Sequence, residues 1–147
     1  MIVRKAQRGD EEAIMELILG LARYENAEGS VDNTAEKLGA DLFDHCYCEA
    51  LVAEEGAEVI GFALFYTSYS TWKGPCIYLE DLFVSESKRT IGAGGALFDS
   101  VVEIAKERKC ARMDWQVLDW NDLAIDFYKK RGATLDEEWL NGRLFFS

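Results

Sequence analysis

Several residue types that build common functional sites are scarce in this 147-residue chain. It contains one histidine, one proline and only 16 lysine and arginine residues, against 27 aspartate and glutamate residues, for a formal net charge of −11. Nucleic-acid phosphates are bound by clustered lysine and arginine side chains, so this balance argues against a nucleic-acid partner. A strongly negative surface favours cationic partners instead.

Cysteine is also sparse, and its four positions follow no metal-binding or redox pattern. Cys46, Cys48, Cys76 and Cys110 lack the paired spacing of a zinc site and the Cys-x-x-Cys spacing of redox proteins. His45, which precedes Cys46 and Cys48, is the only histidine in the chain. We therefore expect no metal, and free thiols in a reducing, cytoplasmic location.

Long apolar runs are missing as well. No stretch approaches the about 18 apolar residues needed to span a bilayer, and the N-terminus lacks the apolar core of a signal peptide. We expect no membrane partner. With 49% hydrophobic and 29% charged residues and no linker-like composition, residues 1–147 are predicted to form one globular domain.

The hydrophobic patterns predict an α/β protein. Helical spacing follows Asp10 to about Tyr24, and a shorter helix is expected after Thr34. Two further helices are predicted at 94–108 and 122–130. Strand-like segments are predicted at 2–6, 49–54, 59–69, 76–84, 112–117 and 143–146. This order indicates a mixed, mainly antiparallel central sheet flanked by helices, rather than a repeating βαβ fold.

The segment 89–95 (RTIGAGG) lies between a predicted strand and a predicted helix. The first amides of a helix have no internal partner, and small residues let a phosphate approach them, so this segment is a candidate anion site. It lacks the Gly-Lys-Ser/Thr ending of a P-loop and does not open a βαβ unit as dinucleotide motifs do. A tight turn without a ligand is the alternative.

Together these segments resemble the GNAT acetyltransferase superfamily, whose coenzyme A loop has the pattern Arg/Gln-x-x-Gly-x-Gly/Ala, matched by 89–94. The segments 78–84 (YLEDLFV), 120–121 (WN) and 124–128 (AIDFY) recur in the same order in its diamine/polyamine N-acetyltransferase family. The resemblance runs from about residue 2 to residue 146. The segment 69–74 (YSTWKG) looks like the thialysine branch of that family.

This resemblance implies an enzyme that transfers acetyl from acetyl-CoA to the primary amine of a small cationic acceptor: thialysine, a diamine or a polyamine. It further implies a homodimer. Tyr128 would protonate the departing coenzyme A sulfur, because a phenol with a pKa of about 10 carries its proton at pH 7. Glu80 would accept the proton of the amine, directly or through water, since an alkylammonium with a pKa of about 10.4 is a poor nucleophile. Taken alone, Tyr128 could simply pack beside Phe127.

The resemblance also implies binding residues. The cofactor contacts would be Leu82, Phe83, Val84, Arg89, Thr90, Ile91, Gly92, Ala93, Gly94, Gly95, Asn121, Ala124 and Arg131. The acceptor contacts would be Tyr24, Glu25, Trp72, Glu80, Asp81 and Gln116, the last on a strand that faces the site. Adjacent strand residues alternate between faces, so Glu80 and Asp81 can both face one site only if the strand contains a bulge.

Two other functions remain open on the same scaffold. One is N-acetylation of proteins or peptides, which would need an open groove for an extended backbone. The other is a non-catalytic acyl-CoA-binding module, against which the presence of both Glu80 and Tyr128 argues. No cysteine lies in the motifs above, so direct acetyl transfer is expected rather than an acyl-enzyme.

Overall fold

The computed structural model describes residues 1–146, except for the side chain of Thr90. The chain forms two compact units, Met1–Trp115 and Gln116–Ser147, the second described as far as residue 146. The interpretation of residues 1–147 as one domain stays a prediction.

The first unit contains a sheet and the helices that cover it. Its strands are β1 (Ile2–Lys5), β2 (Glu49–Glu55), β3 (Glu58–Ser70), β4 (Gly74–Val84) and β5 (Met113–Asp114). Its helices are α1 (Glu11–Tyr24), α2 (Ala35–Phe43) and α3 (Ala93–Glu107), with short 3-10 helices at Glu28–Ser30 and Glu86–Ile91. The second unit contains α4 (Asp122–Lys130).

The sheet has the strand order β1-β2-β3-β4-β5, in which the first four strands are antiparallel and β5 runs parallel to β4. The prediction of a mixed, mainly antiparallel sheet is therefore confirmed. Helices α1 and α2 pack on one face through a core formed by Ile14, Met15, Leu17, Leu38, Leu42, Ala50, Val52, Phe62, Leu64 and Phe83. Helix α3 packs on the other face, where a side chain at Gly61 would lie within 3.3 Å of Leu97.

The two predicted helix starts use different contacts. Thr34 caps α2, and its Oγ1 accepts a hydrogen bond from the Lys37 amide at 3.2 Å. Asp10 precedes α1 but does not cap it, because its backbone is already helical. Its carboxylate accepts hydrogen bonds from Arg4 at 2.8 and 3.1 Å, which ties β1 to the start of α1.

Two strand predictions require correction. The strand predicted at 112–117 is only two residues long, because β4 becomes irregular two residues beyond its last pairing with β5. The terminal strand predicted at 143–146 is wrong. Its residues have strand-forming side chains, but Leu144, Phe145 and Phe146 are 83–90% exposed and no strand among the described residues pairs with them. A search of the described helices found none with the length and apolarity to cross a bilayer.

Candidate active site

A β-bulge interrupts β4 at the two adjacent carboxylates. Leu64 of β3 pairs with Asp81, whereas the next residue, Phe65, pairs with Leu79. Glu80 is therefore an extra residue with no partner in the register. A bulge of this kind turns two consecutive side chains to roughly the same side of a sheet, so the condition set by the sequence for Glu80 and Asp81 to share one face is met.

The shared face is the one that α1 and α2 cover. Asp81 lies on it because its partner Leu64 belongs to the core beneath these helices. Glu80 follows Tyr78 by two residues and so projects to the same side. Tyr78 pairs across the strands with Tyr66, and their ring centroids are 5.4 Å apart. Desolvation and the negative charge of Glu80 raise the pKa of both tyrosines.

Asp81 has an unusual protonation equilibrium. Burial in the first place, and then the charges of Glu80 and Glu25, raise the pKa of Asp81 from 3.8 to about 7. Glu25 follows the last residue of α1, and its own desolvation raises its pKa. None of the ion pairs among the described residues involves these three carboxylates. This acidic face, defined by Glu25, Glu80 and Asp81, carries concentrated negative charge with no cation of the described residues paired to it.

Arg89, the first residue of the glycine-rich segment, contacts residues that neighbour the acidic face in sequence. It lies in the 3-10 helix Glu86–Ile91, and its Nε donates a hydrogen bond to the Val84 carbonyl at 3.2 Å. Its guanidinium carbon lies 5.0 Å from the ring centroid of Tyr24 and 5.2 Å from that of Phe83. Arg89 therefore contacts two other residues predicted to bind the cofactor, Phe83 and Val84. It also contacts Tyr24, which is predicted to bind the acceptor.

The N-terminus of α3 has the small residues that an anion site requires; Gly94 and Gly95 are partly exposed, and Ala93 is buried. Gly92 precedes the helix with φ +82°, a left-handed conformation that favours glycine. No side chain among those described caps the helix start at residues 93–95. A Cβ at Gly92 would contact no atom within 4 Å, and one at Gly94 would meet only Val84 Cγ2, at 3.8 Å. The predicted contact Thr90 has its side chain outside the described residues, and Ile91 is 40% exposed beside this site.

Beyond the bulge, no strand among the described residues pairs with the outer edge of β4. Strand β5 pairs with β4 only as far as Tyr78. The Ser85 amide donates to the Ile60 carbonyl of β3 at 2.8 Å, which fixes the direction of successive peptide groups. Peptide groups alternate in direction along an antiparallel strand. The backbone groups of Leu82 and Val84 therefore point to the outer edge of β4, away from β3.

The second unit carries the remaining predicted contacts. Asn121 caps α4, and its side chain accepts a hydrogen bond from the Ala124 amide at 3.3 Å. Tyr128 is buried and meets the ring of Phe127 edge-on, with centroids 5.3 Å apart. The guanidinium of Arg131 lies 4.1 Å from the Phe127 ring centroid. The ring packing that the sequence offered as an alternative role for Tyr128 is present, and its role as an acid stays a prediction.

Of the other predicted acceptor residues, Trp72 lies away from Glu80 within the first unit, and Gln116 belongs to the second unit. Trp72 is 92% exposed in the β3–β4 turn, and the six residues of β4 between that turn and Glu80 span roughly 20 Å. The placement of Gln116 on a strand is wrong, because β5 ends at Asp114. Its side chain instead donates to Asn141 Oδ1 at 2.9 Å.

The tyrosine pair beside the acidic face was not predicted from the sequence. Tyr78 served there only as part of a motif, and Tyr66 was one aromatic residue among several in a long strand. Tyr66 and Tyr78 each lie six residues from Trp72, at the centre of the short turn between β3 and β4. This equal spacing indicates that they pair across the two strands. No group of histidine, cysteine, aspartate or glutamate within the described part of the chain could hold a metal ion.

Comparison with known proteins identifies the family. The Acetyltransferase (GNAT) family matches residues 12–133. The thialysine N-epsilon-acetyltransferase of Bos taurus is 40% identical over 142 residues, which cover 90% of this chain and 84% of that protein. The human spermidine/spermine N(1)-acetyltransferase-like protein 1 is 33% identical over 148 residues, covering 93% of this chain and 21% of that protein. A solved Vibrio cholerae integron cassette protein superposes with a TM-score of 0.79 at 27% identity, over 99% of this chain and 92% of that one.

A glycine-rich helix start and a β4 edge that no described strand covers, together with these matches, define an acyl-CoA-dependent transferase. The chain belongs to the GNAT acetyltransferase family. It is an acetyltransferase with acetyl-CoA as its donor, as the resemblance implied.

Proposed function

We propose that this acetyltransferase acetylates the primary amine of a small cationic acceptor: thialysine, a diamine or a polyamine. The acidic face is the observation that carries the proposal. Glu25, Glu80 and Asp81 come from two elements, lie close enough to affect one another, and pair with no described lysine or arginine. An acceptor with two positive groups would relieve their repulsion. The substrates named for the bovine and human relatives are amines of this kind.

The tyrosine pair supports a cationic acceptor independently. Tyr66 and Tyr78 are half-buried beside Glu80, and an aromatic face attracts an ammonium or amine-bearing chain. Desolvation already raises the pKa of both phenols, so they stay neutral while the nearby carboxylates carry the charge. A short aliphatic chain between two amino groups matches this combination of aromatic and acidic surface.

The described residues fit acetyl-CoA. The backbone amides of Ala93, Gly94 and Gly95 would hold the pyrophosphate, because no described side chain caps this helix start and Gly94 and Gly95 are partly exposed. The backbone groups of Leu82 and the amide of Val84 would hold the pantetheine arm along the outer edge of β4, since the Val84 carbonyl already accepts from Arg89. When bound, acetyl-CoA supplies the thioester that the amine attacks.

We assign proton acceptance to the paired carboxylates on β4. A carboxylate with a pKa of about 7, as for Asp81, accepts a proton at neutral pH far better than an ordinary carboxylate does. The exposed Glu80 would relay the proton to solvent water. Tyr128 is the proposed acid for the departing thiolate, and Asn121, Ala124 and Arg131 are proposed as further cofactor contacts.

The proposal extends to a cytoplasmic homodimer. Trp139, Leu140, Leu144, Phe145 and Phe146 are 80–97% exposed, and several large exposed apolar side chains near one another in sequence are typical of an interface. A second copy of the chain is the proposed partner. Light scattering during size exclusion should give about twice the chain mass of 16.6 kDa, and a monomer at micromolar concentration would contradict it. The described cysteines are free, which supports a reducing compartment.

The test is thiol release from acetyl-CoA with thialysine, 1,3-diaminopropane, spermidine and a lysine-containing peptide. We expect activity with the small amines and little with the peptide. Activity with the peptide alone would indicate a peptide acetyltransferase, and coenzyme A binding without thiol release would indicate a non-catalytic module.

A matched pair of variants links this activity to the acidic face. Glu25→Gln should raise the KM for the amine, because it removes one of the three charges. Glu28→Gln removes the same charge from an exposed position one turn further on and should leave that KM unchanged.

A further inference from the structure

The Arg89 side chain bridges two elements that approach each other closely. Its Nε binds the Val84 carbonyl of β4, and its guanidinium lies on the rings of Phe83, also in β4, and Tyr24, the last residue of α1. The same two elements touch at Gly20, where a Cβ would lie 3.1 Å from the Phe83 ring. Arg89 therefore holds the end of α1 against β4.

These are the elements that carry two carboxylates of the acidic face. Glu25 follows Tyr24 directly, and Asp81 precedes Phe83 by two residues. The charge of Glu25 raises the pKa of Asp81, so the two repel one another when both are ionised. This repulsion tends to separate α1 from β4, and the contacts of Arg89 with both elements oppose it.

We propose that Arg89 is a positioning residue for the amine acceptor. By joining Tyr24 to β4, it fixes the separation of Glu25 and Asp81, the two carboxylates that would hold the amine. This inference rests on the proposed amine substrate and differs from the cofactor contact that the resemblance implied for Arg89. A residue that only bound phosphate would act on the affinity for acetyl-CoA and would not depend on the Tyr24 ring.

A double-mutant cycle separates the two roles. Arg89→Gln retains an N–H donor for the Val84 carbonyl but removes the planar cation, and Tyr24→Leu removes the ring and keeps an apolar side chain. We expect each to raise the KM for thialysine about two- to fivefold, the range of an exposed cation–aromatic contact. The double variant should match the more affected single variant, because both substitutions remove the same contact. Tyr24→Leu should leave the KM for acetyl-CoA unchanged.

Lys88→Gln is the matched control, since it removes a neighbouring positive charge from the same 3-10 helix. It should leave the KM for thialysine unchanged. Thermal unfolding of each variant checks that the fold persists. Additive effects in the double variant, or an Arg89→Gln effect confined to acetyl-CoA, would overturn the inference.

Calorimetric titration with thialysine in the presence of coenzyme A repeats the cycle without turnover. Absence of acetyl transfer by the wild-type chain to every amine refutes the proposed function. An additive cycle in an enzyme that does acetylate amines, or an additive cycle in the titration, refutes only the positioning role of Arg89.

Discussion

Replacing Asp81 with asparagine should stabilise the protein and weaken its binding of amines. Burial, then Glu80, then Glu25 raise the pKa of Asp81 from 3.8 to about 7. The folded chain therefore binds this proton more tightly than the unfolded chain does. Ionisation of Asp81 lowers the free energy of unfolding as the pH rises from about 4 to about 7, where the cost is complete.

The size of the effect follows from the difference between the two pKa values. About three pKa units at about 1.4 kcal/mol each correspond to at most about 4 kcal/mol. Asparagine has the shape of the carboxyl group but never ionises. We expect Asp81→Asn to have a free energy of unfolding close to that of the wild type at pH 4.5 and higher by up to about 4 kcal/mol at pH 8.

Urea denaturation followed by circular dichroism at pH 4.5, 6, 7 and 8 measures this difference. Asp32→Asn, at an exposed position, is the control for the loss of a carboxylate. A difference for Asp81→Asn that does not change with pH would refute the reasoning. In the wild type, the KM for thialysine should fall as the pH rises towards 7, because ionised Asp81 binds the cation, and this dependence should be lost in Asp81→Asn.

Three further substitutions test other contacts. Tyr128→Phe should lower kcat by about 100-fold or more with little change in coenzyme A affinity, and an unchanged kcat would remove Tyr128 from the acid role. Gly92→Ala should cost about 1 kcal/mol of stability, measured by thermal unfolding, because of its φ of +82°; no loss would contradict the left-handed conformation. Asp10→Asn should cost about 2 kcal/mol at pH 7. The hydrogen bond from Arg4 is the main cause that lowers the pKa of Asp10, so this contribution is present above pH 4 and disappears as the pH falls below it; a cost that persists at pH 2 would contradict it.

Local sequence patterns predicted those parts of the fold that depend on local interactions. The helix at 122–130 matches its predicted bounds, because Asn121 can cap it and Lys129 and Lys130 suit its end. The prediction of a strand at 143–146 was wrong. A strand needs a hydrogen-bonding partner, and the composition of the segment itself does not show whether one is present. The position of segment 89–95 was predicted because its glycines lie close together in sequence, directly before and within the first turn of α3.

The contacts of the acidic face could not be predicted in the same way. The bulge at Glu80 depends on which residue of β3 meets which residue of β4, and no residue type marks it. The contact between Arg89 and Tyr24 joins positions 65 residues apart, so it exists only once α1 packs against β4. The raised pKa of Asp81 likewise needs its burial and the approach of Glu25, which are properties of the packed chain.

Because Glu80 is an extra residue in β4, the number of carboxylates on the acidic face depends on the length of β4 as well as on residue type. Deleting Glu80 would close the ladder between β3 and β4 and remove one carboxylate, while Asp81 kept its partner Leu64. Inserting a residue after Leu82 would instead shift the end of the strand and change which peptide groups occupy the positions proposed to bind coenzyme A. A deletion at Glu80 would therefore affect the proposed amine-binding carboxylates, whereas an insertion after Leu82 would affect the proposed coenzyme A contacts.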